Sequence, residues 1–304
     1  MNDTLRTWAP RVLQVVGLIV TGTLFVRGLD PETLRQSLVR PGALPWFGLA
    51  FSCYAVGMIA NGLAWRGLLA TAGDPVPVGE MIRHDLSSTF WSSVLPGGMA
   101  GELVKGVRLA RTADAGAVAV ALVASRLISG SASCILALAL LPWSAVEGPP
   151  RLAGAAALAA VTGIGVVGLA VLRLGPAVLA RWPALSARVP VGRFPPTRAL
   201  AVAFGQTFVG HTAFAVYCSA AFAAAGAWIP VADGATFLSL TSVAELPPIT
   251  VGGYGVRELT LSRLGMLVVS EPIAEAGAVA FSLVATGMVL VGGIVELGRL
   301  RRSR

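Results

Sequence analysis

Long apolar runs separated by short polar clusters dominate this chain. The runs at about 12–28, 44–65, 115–141, 152–172, 199–225 and 276–297 each approach the roughly twenty residues that a helix needs to cross a bilayer. No alternation of apolar and polar positions over strand-length segments suggests a barrel. The pattern predicts an all-α polytopic membrane protein with about six full transmembrane helices.

Two further apolar segments are interrupted. The first runs from about Asp85 to Leu109 and is broken at Leu95-Pro96-Gly97-Gly98-Met99-Ala100-Gly101-Glu102-Leu103-Val104-Lys105. The second runs from about Gly234 to Val269 and is broken at Leu246-Pro247-Pro248-Ile249-Thr250-Val251-Gly252-Gly253-Tyr254-Gly255-Val256-Arg257. Each stops with proline and glycine and resumes with a basic residue close behind. Non-helical backbone at membrane depth is tolerated only where protein or a polar cavity supplies its hydrogen bonds, so the pair predicts two broken or re-entrant hairpins around a binding site.

Composition agrees with the pattern. The hydrophobic fraction is 55% and charged residues are 12%, with a mean hydropathy of +0.77, values that exclude an ordinary water-soluble domain. The net charge of +8 reads as cytoplasmic loop charge rather than as a nucleic-acid surface. Cys53, Cys134 and Cys218 fall in apolar spans without CxxC spacing or a nearby His cluster, so they read as packing residues. Arg6 and Arg11 ahead of Val12 resemble a signal sequence, but Arg27 and Gly28 stand where a small-x-small cleavage site belongs, which suggests an uncleaved first span. No P-loop, HExxH, zinc spacing or Ser-His-Asp order is present, so neither cofactor nor metal is expected.

Loop charges set an orientation. Arg173, Arg181, Arg188, Arg193 and Arg198 crowd one connection, and Arg299, Arg301, Arg302 and Arg304 crowd the C-terminus, so both are expected in the cytoplasm. Lys105, Arg108 and Arg111 then fall inside as well. The connections around Glu147 and Asp233, with Glu271 and Glu275, fall outside. Both termini are expected to be cytoplasmic, in a bacterial-type cytoplasmic (inner) membrane. The first hairpin then enters from the cytoplasm and the second from the opposite face. A single membrane domain with halves 1–147 and 148–304 in inverted topology follows, a layout common in transporters.

A helix restarting after a break has free amide N–H groups and a partial positive charge that suit an anion such as phosphate. Pro96, Pro247 and Pro248 make the breaks. Gly97, Gly98 and Gly101 in the first, with Gly252, Gly253 and Gly255 in the second, let an anion approach the backbone. Lys105, Arg108 and Arg257 add full charges. Glu102 and Glu258 are placed to orient these cations, or to receive an amine or a proton. The alternative is loop punctuation with ordinary positive flanks. Arg126 lies deep in 115–141, where a charge costs several kcal/mol and faces a cavity or a partner, and Glu245 is the expected partner. His84 beside Asp85 reads as an interfacial polar pair, and His211 as a bond to a neighbouring helix.

These residues carry a resemblance. The stretch from Phe90-Trp91-Ser92-Ser93-Val94-Leu95-Pro96-Gly97-Gly98 to Arg111, and still more Gly253-Tyr254-Gly255-Val256-Arg257-Glu258, resemble the two signature regions of the lysylphosphatidylglycerol synthase transmembrane family, the flippase-like membrane domain. The first departs from the family's usual pattern in having Lys105 where arginine is commoner. The resemblance implies a non-enzymatic transporter of an anionic lipid, whether phospholipid, hopanoid-type or polyprenyl-phosphate-linked. The chain ends soon after its last span, at Arg304, so it is expected to lack the soluble aminoacyltransferase domain and not to make lysyl-phosphatidylglycerol. Two other readings stay open at this point: a non-transporting membrane partner of lipid or glycan biosynthetic enzymes, and a membrane enzyme using His84 with Asp85, or Glu245.

Overall fold

The computed structural model describes residues 32, 35, 38–71, 73, 75–95, 100–179, 194–245 and 253–302. The expected span at 12–28 and the break residues Pro96, Gly97, Gly98, Pro247, Pro248 and Gly252 lie outside them, as do Arg181, Arg188, Arg193 and Arg304. Among the described residues all regular structure is helical: α1 (Ala43–Ala70), α2 (Val78–Val94), α3 (Ala100–Leu109), α4 (Ala115–Leu140), α5 (Gly148–Leu179), α6 (Thr197–Ala225), α7 (Val231–Ala244), α8 (Val256–Gly265) and α9 (Glu271–Arg302). Five of these, α1, α4, α5, α6 and α9, are long and apolar enough to cross a membrane. Local chemistry marks the ends: prolines 77, 196 and 230 directly precede α2, α6 and α7. Asp114 caps α4 by accepting from the Ala117 amide, which satisfies one orphan donor of the first turn.

The interrupted segments fold as paired short helices. The first hairpin, α2 with α3, starts seven residues earlier than the expected Asp85, at Val78, because the polar turns ahead of Asp85 continue the helix back to Pro77. The second is α7 with α8. A further correction concerns Asp233, expected in an outer connection. It sits instead in the first turn of α7, fully buried, accepting from the Ser144 hydroxyl and from the Ala145 amide at 3.1 and 3.2 Å. Burial is tolerable because this carboxylate replaces lost water with fixed donors.

Helix α6 is the centre of the bundle, with 61% of its apolar window buried, whereas α5 lies outermost with 11%. The most extensive helix contact is α1 with α6. Their packing is antiparallel. Arg40, just ahead of α1, donates to the Ala223 and Ala224 carbonyls at the end of α6, Tyr54 meets Phe214 and Tyr217, and Ala203 near the start of α6 joins Leu68 and Leu69 at the end of α1. Small residues permit the approach: a Cβ at Gly210 would lie 3.1 Å from the Gly57 carbonyl oxygen.

The two hairpins join this axis at opposite ends. Met81 of α2 and Leu109 of α3 share a core with Leu68, Leu69 and Ala203. Phe237 of α7 and Leu261 of α8 share another with Ala50 near the start of α1 and Phe222 near the end of α6. Helix α9 closes the bundle against α2, where its Gly292 allows backbone contact: a Cβ there would lie 2.1 Å from the Leu86 carbonyl oxygen. At Gly298, one turn and a half further on, nothing stands within 4 Å.

Gly292→Ala is therefore expected to destabilise the fold by about 1–3 kcal/mol through overpacking, whereas Gly298→Ala is expected to be neutral or stabilising. Thermal unfolding in detergent, comparing the two variants, reads the difference.

Candidate functional site

A cavity of about 260 Å³ opens between α1, α2, α3, α4 and α6. Helical spacing builds it. Tyr54, Met58, Asn61 and Trp65 form one stripe of α1, Asp85, Ser88, Thr89 and Ser92 one stripe of α2, and Ser125, Arg126 and Ser129 one stripe of α4, because positions three and four apart share a face. Glu102 and Lys105 come from α3, and Thr207 and Phe214 from α6. Polar side chains on otherwise apolar helices thus converge where they supply one another with partners.

Four charges run through this cavity as an alternating chain. Lys105 is buried and donates to Asp85 Oδ1 at 2.8 Å, with its ammonium 4.1 Å above the Trp65 ring. It also reaches Glu102 Oε1 at 3.5 Å, and the same oxygen stands 3.7 Å from the Arg126 guanidinium. Arg126 has no hydrogen bond among the described residues and its side chain is 40% exposed. Its donors open on the cavity from near the middle of an apolar span. The expected partner, Glu245, is not at Arg126. It accepts from Arg257 Nε at 2.8 Å, because the end of α7 packs beside the start of α8.

The second device is built around the start of α8. Gly253 and Gly255 adopt φ of 75° and 85°, a region that favours glycine, and a Cβ at Gly253 would lie 2.6 Å from Glu245 Oε1. Glu258 is turned back on this helix end: it accepts from the Gly255 amide at 2.5 Å and from the Ser282 hydroxyl of α9. That is one half of a capping box, with the N3 carboxylate on the N-cap amide of its own helix. The Arg257 guanidinium lies 5.9 Å from the centre of the Tyr254 ring. Tyr54 of α1 lines the cavity wall.

Arg108 is held elsewhere. Its guanidinium grips Glu296 of α9 by two bonds of 2.9 and 2.6 Å and also donates to Ser87 at 2.6 Å. One turn later in α9, Arg299 meets His84 Nδ1 at 3.2 Å. His84 and Asp85 consequently face different partners rather than each other. His211 bonds Ser129 across α6 and α4 at 2.9 Å, the bond to a neighbouring helix that was expected of it. Gly101 lets α3 lie against α2, since a Cβ there would come within 2.0 Å of the Ser88 carbonyl oxygen. Sequence reasoning missed Glu296 as the partner of Arg108 and Asp85 as the partner of Lys105. For Asp85 a signal was available: it begins the polar stripe continued by Ser88, Thr89 and Ser92. No group of three or more potential metal ligands occurs among the described residues.

The family model described as the lysylphosphatidylglycerol synthase TM region matches residues 11–293, nearly the whole chain. The chain belongs to that family. No curated protein matches it.

Removing one member of the Arg108–Glu296 pair strands the other. Arg108→Ala leaves Glu296, 3% exposed, without its cation, and is expected to cost about 3–5 kcal/mol. The double variant Arg108→Met, Glu296→Leu is expected to recover most of that loss, because the paired charges are then replaced by packed apolar groups. Unfolding midpoints of the single and double variants check this.

Proposed function

As a member of the lysylphosphatidylglycerol synthase TM region family, this chain, we propose, moves an anionic lipid across a bacterial-type cytoplasmic membrane without covalent chemistry. The head group enters the cavity and the tails stay in the bilayer. The single observation that carries the reading is Arg126: a guanidinium without a hydrogen bond among the described residues, 40% exposed, facing a polar cavity from the middle of an apolar helix. A charge at that depth is expensive unless a cavity or ligand receives it, and a guanidinium matches a phosphate with two parallel donors. Lys105 adds a second cation on the same wall, while Ser88, Thr89, Ser125 and Thr207 line the remainder.

Access from both sides completes the proposal. The hairpins α2–α3 and α7–α8 serve as two halves of an inverted repeat, each gating the site from its own face, with both chain termini in the cytoplasm. The recurring order of helix lengths supports this: 28, 17, 10 and 26 residues in α1 to α4 are followed by 29, 14, 10 and 32 in α6 to α9. So does the attachment of the hairpins to opposite ends of the α1–α6 axis. Arg257, paired with Glu245, is the cation of the second gate. In this conformation Arg108 acts as a strut between α3 and α9 rather than as a ligand of the cavity.

Liposomes containing the protein are expected to translocate labelled phosphatidylglycerol, or another member of a panel of anionic lipids, faster than protein-free vesicles. Arg126→Ala should slow this by at least about tenfold, the scale of one lost charged contact. Translocation by none of the panel, or undiminished translocation by both Arg126→Ala and Arg257→Ala, overturns the reading. The inverted arrangement has its own check: with the native cysteines replaced, a cysteine at Thr112 should react only with cytoplasmic reagent and one at Ser270 only with external reagent.

A further inference from the structure

We propose that Glu102 is a resident stand-in for the head-group anion, and that its protonation opens Arg126 to the ligand and so links lipid binding to proton uptake. The inference rests on the head-group reading of the cavity. Its observation is the unequal strength of the contacts along the charge chain. Lys105 has a tight partner in Asp85, at 2.8 Å. Glu102 is the looser neighbour of both cations, at 3.5 Å from Lys105 and 3.7 Å from Arg126, through one shared oxygen. The longer separation is outside hydrogen-bond range.

A phosphodiester arriving at Arg126 offers two acceptor oxygens in the geometry of the guanidinium fork and displaces so loose a neighbour. Glu102 then stands beside a second anion. Its remaining cation, Lys105, is already neutralised by Asp85. Two anions side by side favour protonation of the one that can take a proton, and a phosphodiester does not titrate in the neutral range. The groups facing Glu102 are Lys105 on its own helix, Arg126 of α4, Asp85 of α2 and Trp65 of α1. His211 of α6 is engaged with Ser129, and Tyr54 lies further along the cavity wall. The linkage is reciprocal: protonating Glu102 strengthens head-group binding as much as head-group binding promotes the proton. Asp85 keeps Lys105 paired throughout, so neutralising Glu102 strands no buried cation.

The consequence has an unusual sign. Glu102 lines the site, yet removing its charge should strengthen binding. The full chain in a neutral maltoside detergent is titrated with short-chain phosphatidylglycerol between about pH 5 and about pH 8, with proton release or uptake followed by an indicator dye. The wild-type protein is expected to bind more tightly as pH falls and to take up protons on binding. Glu102→Gln is expected to bind about tenfold more tightly at neutral pH, the scale of one charged hydrogen bond, with neither pH dependence nor uptake. A wild-type protein that binds without pH dependence or uptake overturns the inference, whether or not the variant folds. So does a Glu102→Gln variant that binds no better and keeps the pH dependence. Arg126→Ala separates the two levels: if it abolishes binding while Glu102→Gln behaves as wild type, the head-group reading stands and the coupling falls. If Arg126→Ala binds normally, both fall.

Discussion

A charge withdrawn from water must find an opposite charge or a polar cavity, and the interior of this chain is arranged around that constraint. Asp85, Lys105, Glu102 and Arg126 form one alternating series across α2, α3 and α4. Arg108 and Glu296 form a second contact between the first hairpin and α9, and Arg257 with Glu245 a third at the start of α8. Desolvating any of these groups alone costs several kcal/mol, so each position is held by its partner as much as by its own helix. The series that ends at Arg126 is the one with a loosely held member, and it is the one that opens on a cavity.

Backbone proximity makes these pairings reachable. With lipid outside, little hydrophobic force draws helices together, and close packing of small residues substitutes for it. Gly62 illustrates the link between packing and charge: a Cβ there would come within 2.1 Å of Asp85 Oδ2, so the approach of α1 to α2 and the position of the carboxylate are one requirement. Gly101 and Gly292 do the same for α3 and α9 against α2. Glycines that look interchangeable in an apolar sequence thus divide into those that set a close approach of helices and those, such as Gly298, with nothing within 4 Å.

Family membership and the geometry meet at the second device. The stretch Gly253-Tyr254-Gly255-Val256-Arg257-Glu258 is a helix start in which two glycines take positive φ, Glu258 accepts from the Gly255 amide and Arg257 is steered onto Glu245. The glutamate that reads as a second ligand in the sequence is occupied with its own helix end and with Ser282. Among the described residues, the signature region more specific in sequence is therefore the more internally satisfied. The first leaves more of its chemistry facing the cavity.

Hydropathy by itself determined the helical class, five long spans among the described residues and the positions of the two interrupted segments, because the length of an apolar run and the cost of bare backbone in lipid are local properties. The depth of Arg126 was legible for the same reason. Which carboxylate meets which cation was not. Glu102 rather than Glu245 stands beside Arg126, and Glu296 takes Arg108 from 188 residues away, because pairing depends on which faces of separate helices the packing turns together. Asp233 shows the limit from the other side: it was expected in an outer connection, yet the fold surrounds it with the Ser144 hydroxyl and the Ala145 amide. Only the tertiary structure decided these partners, since a buried charge is stabilised by whatever the fold places within reach, and reach across helices leaves no trace in the spacing along any one of them.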